Sequence, residues 1–160
     1  MSVTETPEDR ARHYESYEVG QVFHGPGVTL TESDIIDFAF RYDPQPHHID
    51  KVAADKSMYG GLIASGWQVG IVAFRMMIQG GFIGSASMGA GGLENLKWHA
   101  PVRPGDTIYG EVEVTDKRES RSRPGLGLVS MDCRVFNQQR ELVCSWNAVQ
   151  FVMKQPEEAA

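Results

Sequence analysis

The apolar positions along this chain change period once. Up to residue 79 they recur three and four residues apart, as on a helix; from residue 93 onward they alternate, as on a strand. Thr31 opens the first clear helix. Thr31-Glu32-Ser33-Asp34 has the form of a capping box with acids in its first turn. Ile35, Ile36, Phe38, Ala39 and Tyr42 follow as an apolar stripe, and Pro44 and Pro46 end the helix. Residues 65–79 predict a longer helix. Trp67, Val69, Ile71, Val72, Phe74, Met76, Met77 and Ile78 cover nearly all its faces, with Gln68 and Arg75 as exceptions. A helix apolar all round belongs inside a protein. Gly80-Gly81 closes it.

The second half predicts four strands, at residues 93–100, 107–115, 126–136 and 142–152. Val129, Met131, Cys133 and Val135 share one face of the third; Leu142, Cys144, Trp146 and Ala148 share one face of the fourth. If Gln138-Gln139 is a two-residue hairpin loop, Cys133 lies opposite Cys144, Val135 opposite Leu142, Met131 opposite Trp146 and Val129 opposite Ala148. Residues 21–30 read as a short irregular strand broken by Gly25, Pro26 and Gly27. Residues 51–57 read as a short helix and residues 84–92 as a Gly-rich link. The run Asp43-Pro44-Gln45-Pro46-His47-His48-Ile49-Asp50 has two prolines in three positions, which predicts a stiff, extended segment. One helix apolar all round and one long antiparallel sheet must bury each other. The expectation is an α+β chain whose single domain spans residues 17–154. Residues 1–16 and 155–160 are expected as flexible ends.

A length of 160 residues suits one domain. The net charge is −6, and all of that excess lies in residues 1–60. Such a balance argues against a general nucleic-acid or membrane-surface binder, which needs a basic face. The basic cluster of Lys117, Arg118, Arg121 and Arg123 reads first as a solvated hairpin tip. There is no run of about 18 apolar residues and no apolar stretch in the first residues, so a cytoplasmic location is expected. In that setting Cys133 and Cys144 read as reduced thiols. No Cys or His spacing suits a structural metal, and no metal or other cofactor is expected.

The order of elements resembles the hotdog fold, a curved antiparallel sheet around a central helix. Asp43-Pro44-Gln45-Pro46-His47-His48 resembles the Asp-x-Asn-Pro-(Leu/Ile)-His signature of the MaoC-like, or (R)-specific, enoyl-CoA hydratases. Gly60-Gly61-Leu62-Ile63-Ala64-Ser65-Gly66 is similar to the entry of their central helix, and Pro101-Val102-Arg103-Pro104-Gly105-Asp106 to a later strand–turn motif. The chain departs from the pattern at Tyr42, Gln45, His47, Ser65 and Phe74, where the family usually has Gly, Asn, an aliphatic residue, His and, in many members, Ser. The resemblance implies reversible syn addition of water to a trans-2-enoyl thioester of coenzyme A or acyl-carrier protein. The thioester carrier would be part of the substrate. The resemblance also implies a homodimer or larger homo-oligomer.

That chemistry needs a base for water, an acid for C2 and a donor for the thioester oxygen. Asp43 and His48 together suit the first two roles. The backbone N–H of Gly66, at a helix N-terminus, suits the third. Tyr42, Gln45, His47, Ser65 and Trp67 are candidates for the surrounding pocket, with Ser65 also placed to cap the helix. Lys97, Arg103 and the Arg118–Arg123 cluster are candidates for the anionic handle. Asp43 bracing the turn and His48 as a structural ring are the bland alternatives. A hotdog thioesterase and a non-catalytic acyl-CoA binder are the other functional ones. Residues 65–79 hold no Asp or Glu, which counts against the thioesterase.

Overall fold

The computed structural model describes residues 11–156. Thr31 caps α1 (Glu32–Tyr42) as its sequence requires. The Asp34 N–H donates to Thr31 Oγ1 at 3.2 Å, and the Thr31 N–H donates back to Asp34 Oδ2 at 2.9 Å. Ile35 and Ala39 are its buried face. Phe38 and Tyr42 stack on each other with ring centroids 5.1 Å apart, and Tyr42 is 71% exposed. Asp43 is the C-cap, its N–H bonded to Ala39 O at 2.9 Å.

The sequence predicts an extended proline-rich run, and the structure corrects this. The run is extended at Gln45 and then turns into α2 (Pro46–Ile49). Proline is compatible with the first turn of a helix, where its missing N–H is not needed, so the second proline starts a turn. Asp50 caps α3 (Lys51–Asp55) by accepting from the N–H groups of Val52 and Ala53. Ser65 caps the central helix α4 (Gly66–Gln79), accepting from the Trp67 N–H at 3.2 Å.

The described residues form a six-stranded sheet. Its strands are β1 (Val22–His24), β2 (Val28–Thr29), β3 (Ser87–Trp98), β4 (Thr107–Glu119), β5 (Leu126–Phe136) and β6 (Leu142–Met153). Their order in the sheet is β1-β4-β5-β6-β3, with β2 also pairing with β4, and these pairings are all antiparallel. The β5 strand alternates between buried and partly buried positions along its whole length. Val112 and Val114 of β4 and Val129, Met131, Cys133 and Val135 of β5 share one core with Val69, Ala73, Met76 and Met77 of α4. This is the hotdog arrangement.

Four further expectations need correction. The first is the length of β3, which starts at Ser87, so the Gly-rich link is largely strand. Register shifts between Ser87 and Leu93 show how the glycines are accommodated.

The second is the β5–β6 register. The loop spans 137–141: the Asn137 side-chain oxygen accepts from the N–H groups of Gln139 and Glu141, and Arg140 takes φ +64°. Val143 is then the extra residue of a bulge, since Val135 pairs with Cys144 while Phe136 pairs with Leu142. Cys133 faces Trp146, Met131 faces Ala148 and Val129 faces Gln150. The shift of two residues keeps every predicted face on β5, and Val143 replaces Leu142 in the core. Both cysteines are buried free thiols, and burial pushes the Cys144 thiol up to about 11.

The third is the N-terminal boundary. Residues 14–16 form a 3-10 turn whose Tyr14 ring is buried over Gly127, and Lys117 Nζ donates to Tyr14 O and Tyr17 O. The Gln155 N–H donates to Glu15 Oε2 at 3.0 Å. The packed unit therefore begins before residue 17 and includes residue 155; the expected flexibility of residues 1–10 and 157–160 lies outside the described residues.

The fourth is the surroundings of α4. Val69, Ala73, Met76 and Met77 are buried, but Trp67 and Ile71 are each 58% exposed, Phe74 50% and Ile78 49%. One sheet covers only one side of a helix that is apolar on all sides.

Candidate active site

The end of α1, the turn of α2 and the start of α4 meet at one place. The α1 C-cap delivers Asp43. Pro46 fixes the first turn of α2, which carries His47 and His48. The Ser65 cap delivers the first N–H groups of α4.

His48 is 4% exposed, and its Nδ1 lies 2.8 Å from Ile63 O. A carbonyl can only accept, so Nδ1 carries the hydrogen. In the neutral ring Nε2 is then the free base. That nitrogen lies 3.3 Å from Asp43 Oδ2.

Asp43 is held at both oxygens. Ser65 Oγ donates to Oδ2 at 2.7 Å, and Gln45 Nε2 donates to Oδ1 at 2.8 Å. Burial alone would raise the Asp43 pKa. The hydrogen bonds from Ser65 and Gln45, with the charges of His48 and His47, more than offset it and leave the carboxyl below its ordinary value. His47 stacks edge-on against His48 at 4.2 Å and tilts against Tyr59 at 5.2 Å. Burial, reinforced by His48 and opposed by Asp43, lowers its pKa.

These groups open onto a cleft of about 430 Å³. Asp43, Gln45, His47, His48, Gly66 and Trp67 line it, so the structure brings together six of the eight predicted site residues. Ser65 is fully buried behind the wall and touches the cleft through Asp43. Tyr42 does not reach it: it lies one residue before Asp43 on the exposed side of α1, against Phe38.

Gly66 is the first residue of α4, so its N–H has no acceptor within the helix. The Trp98 indole packs directly on Gly66, where any side chain would collide with it. Trp98 in turn meets Trp67 edge-to-face, with centroids 5.4 Å apart. Sequence reasoning missed Trp98, His99 and Tyr59, which also line the cleft. They come from the end of β3, the residue after it and the link after α3, and no local pattern joins those segments to the Asp/His run.

The basic candidates are scattered. Arg103 donates to Tyr59 O at 2.6 Å and so stands beside a residue of the cleft wall. Lys97 lines a separate polar depression with Asp132 and Arg134. Arg118, Arg121 and Arg123 are exposed around the β4–β5 hairpin, and Lys117 is occupied by the Tyr14 and Tyr17 carbonyls. Among the described residues, no group of three or more His, Cys, Asp or Glu side chains is arranged to hold a metal ion. No helix among them is long and apolar enough to cross a membrane.

A family model described as MaoC like domain matches residues 15–131, which include the whole Asp/His run and α4. The chain is 32% identical over 125 residues to the uncharacterized protein YdeM of Bacillus subtilis, covering 78% of this chain and 87% of that protein. It is 35% identical over 95 residues to the (R)-specific enoyl-CoA hydratase of Rhodospirillum rubrum, covering 54% of this chain and 59% of that enzyme. Among solved structures, the MaoC-like dehydratase from Rhodospirillum rubrum superimposes with a TM-score of 0.82 at 33% identity, over 91% of this chain and 99% of that one. The family model spans the same three segments that build the cleft, and the chain belongs to the MaoC-like domain family.

Proposed function

We propose that the protein is an acyl-thioester hydratase/dehydratase that adds water reversibly and syn to a trans-2-enoyl thioester of coenzyme A or acyl-carrier protein. The observation that carries this reading is the Asp43–His48 pair. A carboxylate held ionised by Ser65 and Gln45 lies 3.3 Å from an imidazole nitrogen that the Ile63 carbonyl keeps free as a base. Relatives named as a MaoC-like dehydratase and an (R)-specific enoyl-CoA hydratase support it.

In the hydration direction, a water in front of the pair donates its hydrogens toward Asp43 and His48 Nε2. Its oxygen bonds to C3 as its proton passes to Nε2, and the π electrons move through C2 to the thioester oxygen. Asp43 stabilises the imidazolium that forms. The Gly66 N–H and the dipole of α4 hold the oxyanion. The carbonyl then re-forms, C2 takes the proton from the imidazolium, and His48 is neutral again. One water has been added, with oxygen and hydrogen from the same side. Positioned acid–base groups of this kind contribute ~100–10,000-fold, and one oxyanion donor ~100–1,000-fold.

Crotonyl-CoA is the test. Loss of the enoyl absorbance without release of free thiol supports the proposal. Release of thiol instead makes the protein a thioesterase, and neither change leaves an acyl-CoA binder. The absence of Asp and Glu from Gly66–Gln79 favours the first outcome over the second.

The same reading includes a homodimer. The exposed stripe of Trp67, Ile71, Phe74 and Ile78 and the free edge of β3 are the two surfaces that a second copy would cover.

A further inference from the structure

Gln68 is buried on α4 beside Val69, Ala73, Met76 and Met77, and it is the polar one of that set. It is 5% exposed. Its Nε2 donates to Asp34 O at 2.8 Å, in the first turn of α1. Its Oε1 is, among the described residues, the one buried side-chain oxygen or nitrogen with no hydrogen-bond partner. A methionine here would fill a similar volume and strand no polar atom. Packing therefore does not call for an amide. What the amide adds over a hydrocarbon is a directed bond.

That bond runs between the two helices that carry the site. The C-cap of α1 is Asp43, and α4 begins at Gly66. One turn of α4 reaches α1 twice. Ser65, the N-cap of α4, donates to Asp43 Oδ2 at the C-terminal end of α1. Gln68, one turn further on, donates to Asp34 O near the N-terminal end of α1. His48 is tied separately, through Ile63 O, to the segment that leads into α4. A single hydrogen bond at Asp43 is a pivot about which α1 can turn. A second bond at the other end of α1 removes that freedom.

The geometry points to Gln68 as a positioning residue that fixes the orientation of α1 and so holds Asp43 in register with His48 Nε2 and the Gly66 N–H. What the register is used for rests on the acyl-thioester reading. Asp43 Oδ2 stands 3.3 Å from Nε2, and a misplacement of about 1 Å can cost ~100-fold in rate. Gln68 is not part of the cleft lining, so it acts through Asp43 and touches no substrate.

Gln68→Met is the test, with two readouts. The first sets crotonyl-CoA hydration against stability. The variant should lower kcat by about tenfold or more with KM within about twofold of wild type. Its urea midpoint should stay close to wild type, since the lost bond is offset by the lost orphan. Gln68→Leu takes its place if Gln68→Met does not fold. A lower midpoint with kcat per folded molecule within about twofold of wild type makes Gln68 a packing residue and overturns the inference.

The second readout needs no turnover. It is the NMR titration of the Asp43 carboxyl carbon, assigned by its loss in Asp43→Asn. Burial raises the Asp43 pKa, and Ser65, Gln45, His48 and His47 together bring it below its ordinary value. In Gln68→Met those contacts loosen, and the titration should move up toward the ordinary carboxylate range. An unchanged titration overturns the inference and leaves the hydratase reading intact. A moved titration in a protein that hydrates no enoyl thioester upholds the positioning of Asp43 and removes the hydratase reading instead.

Discussion

At the scale of single residues, the site is a set of hydrogen bonds that leave each group one role. Ile63 O accepts the Nδ1 hydrogen of His48, and Ser65 Oγ and Gln45 Nε2 donate to the two oxygens of Asp43. Asp43→Asn and His48→Gln should each lower crotonyl-CoA hydration by ~100–10,000-fold with an unchanged circular dichroism spectrum. Retention of more than about a tenth of the rate by both variants places the chemistry elsewhere. Ser65 makes a subtler prediction. Its hydroxyl helps hold the Asp43 pKa below the ordinary value, so the ionised form is favoured above the unfolded carboxylate pKa and lost as pH falls through the folded one. In Ser65→Ala the Asp43 pKa rises, and the acid limb of the kcat/KM profile should move to higher pH. The helix cap is lost as well, at about 0.5–2 kcal/mol. A profile that keeps its shape while stability drops would make Ser65 a cap alone.

At the scale of elements, contacts distant in sequence decide which surfaces close. Tyr14 lies over Gly127 of β5 where any side chain would collide with the ring, and Lys117 of β4 holds the backbone on both sides of that turn. Gly127→Ala should therefore displace the Tyr14 turn and cost ~1–3 kcal/mol by overpacking, read as a shift in urea midpoint. Amides of residues 14–17 should exchange hydrogen faster in the variant. No loss of stability would show that the N-terminal turn contributes little to the fold. The β5–β6 hairpin shows a related point. The loop chemistry at Asn137 and Arg140, together with the bulge at Val143, moved the register by two residues. Parity was kept because one face of both strands must be buried.

At the scale of the whole molecule, the central helix is the open question that the fold itself poses. Half of an all-apolar helix is covered by its own sheet, and Trp67, Ile71, Phe74 and Ile78 remain at 49–58% exposure beside a free strand edge. Equilibrium sedimentation should give a dimer at micromolar concentration. Ile78→Asp should shift it toward the 17.7 kDa monomer, since a charge on the stripe must lose its water to be covered. A stable monomer of the unsubstituted protein would show that the stripe is tolerated in solvent.

Whatever depends on local period and local hydrogen bonding can be read from the chain alone. The change from helical to alternating spacing, the capping box at Thr31, the bounds of β5 and the buried faces of β4 and β5 follow from neighbours along the chain. The Asp43 and His48 pair was legible because both lie in one proline-rich run. Features that need partners distant in sequence follow only from the packed fold. The carbonyl of Ile63 selects the His48 tautomer, and Trp98 of β3 comes to rest on Gly66. Tyr42, adjacent to Asp43, points away because a helix turns each successive side chain by about 100°. Periodicity specifies that a face is apolar; only the folded arrangement of the other elements specifies what covers it.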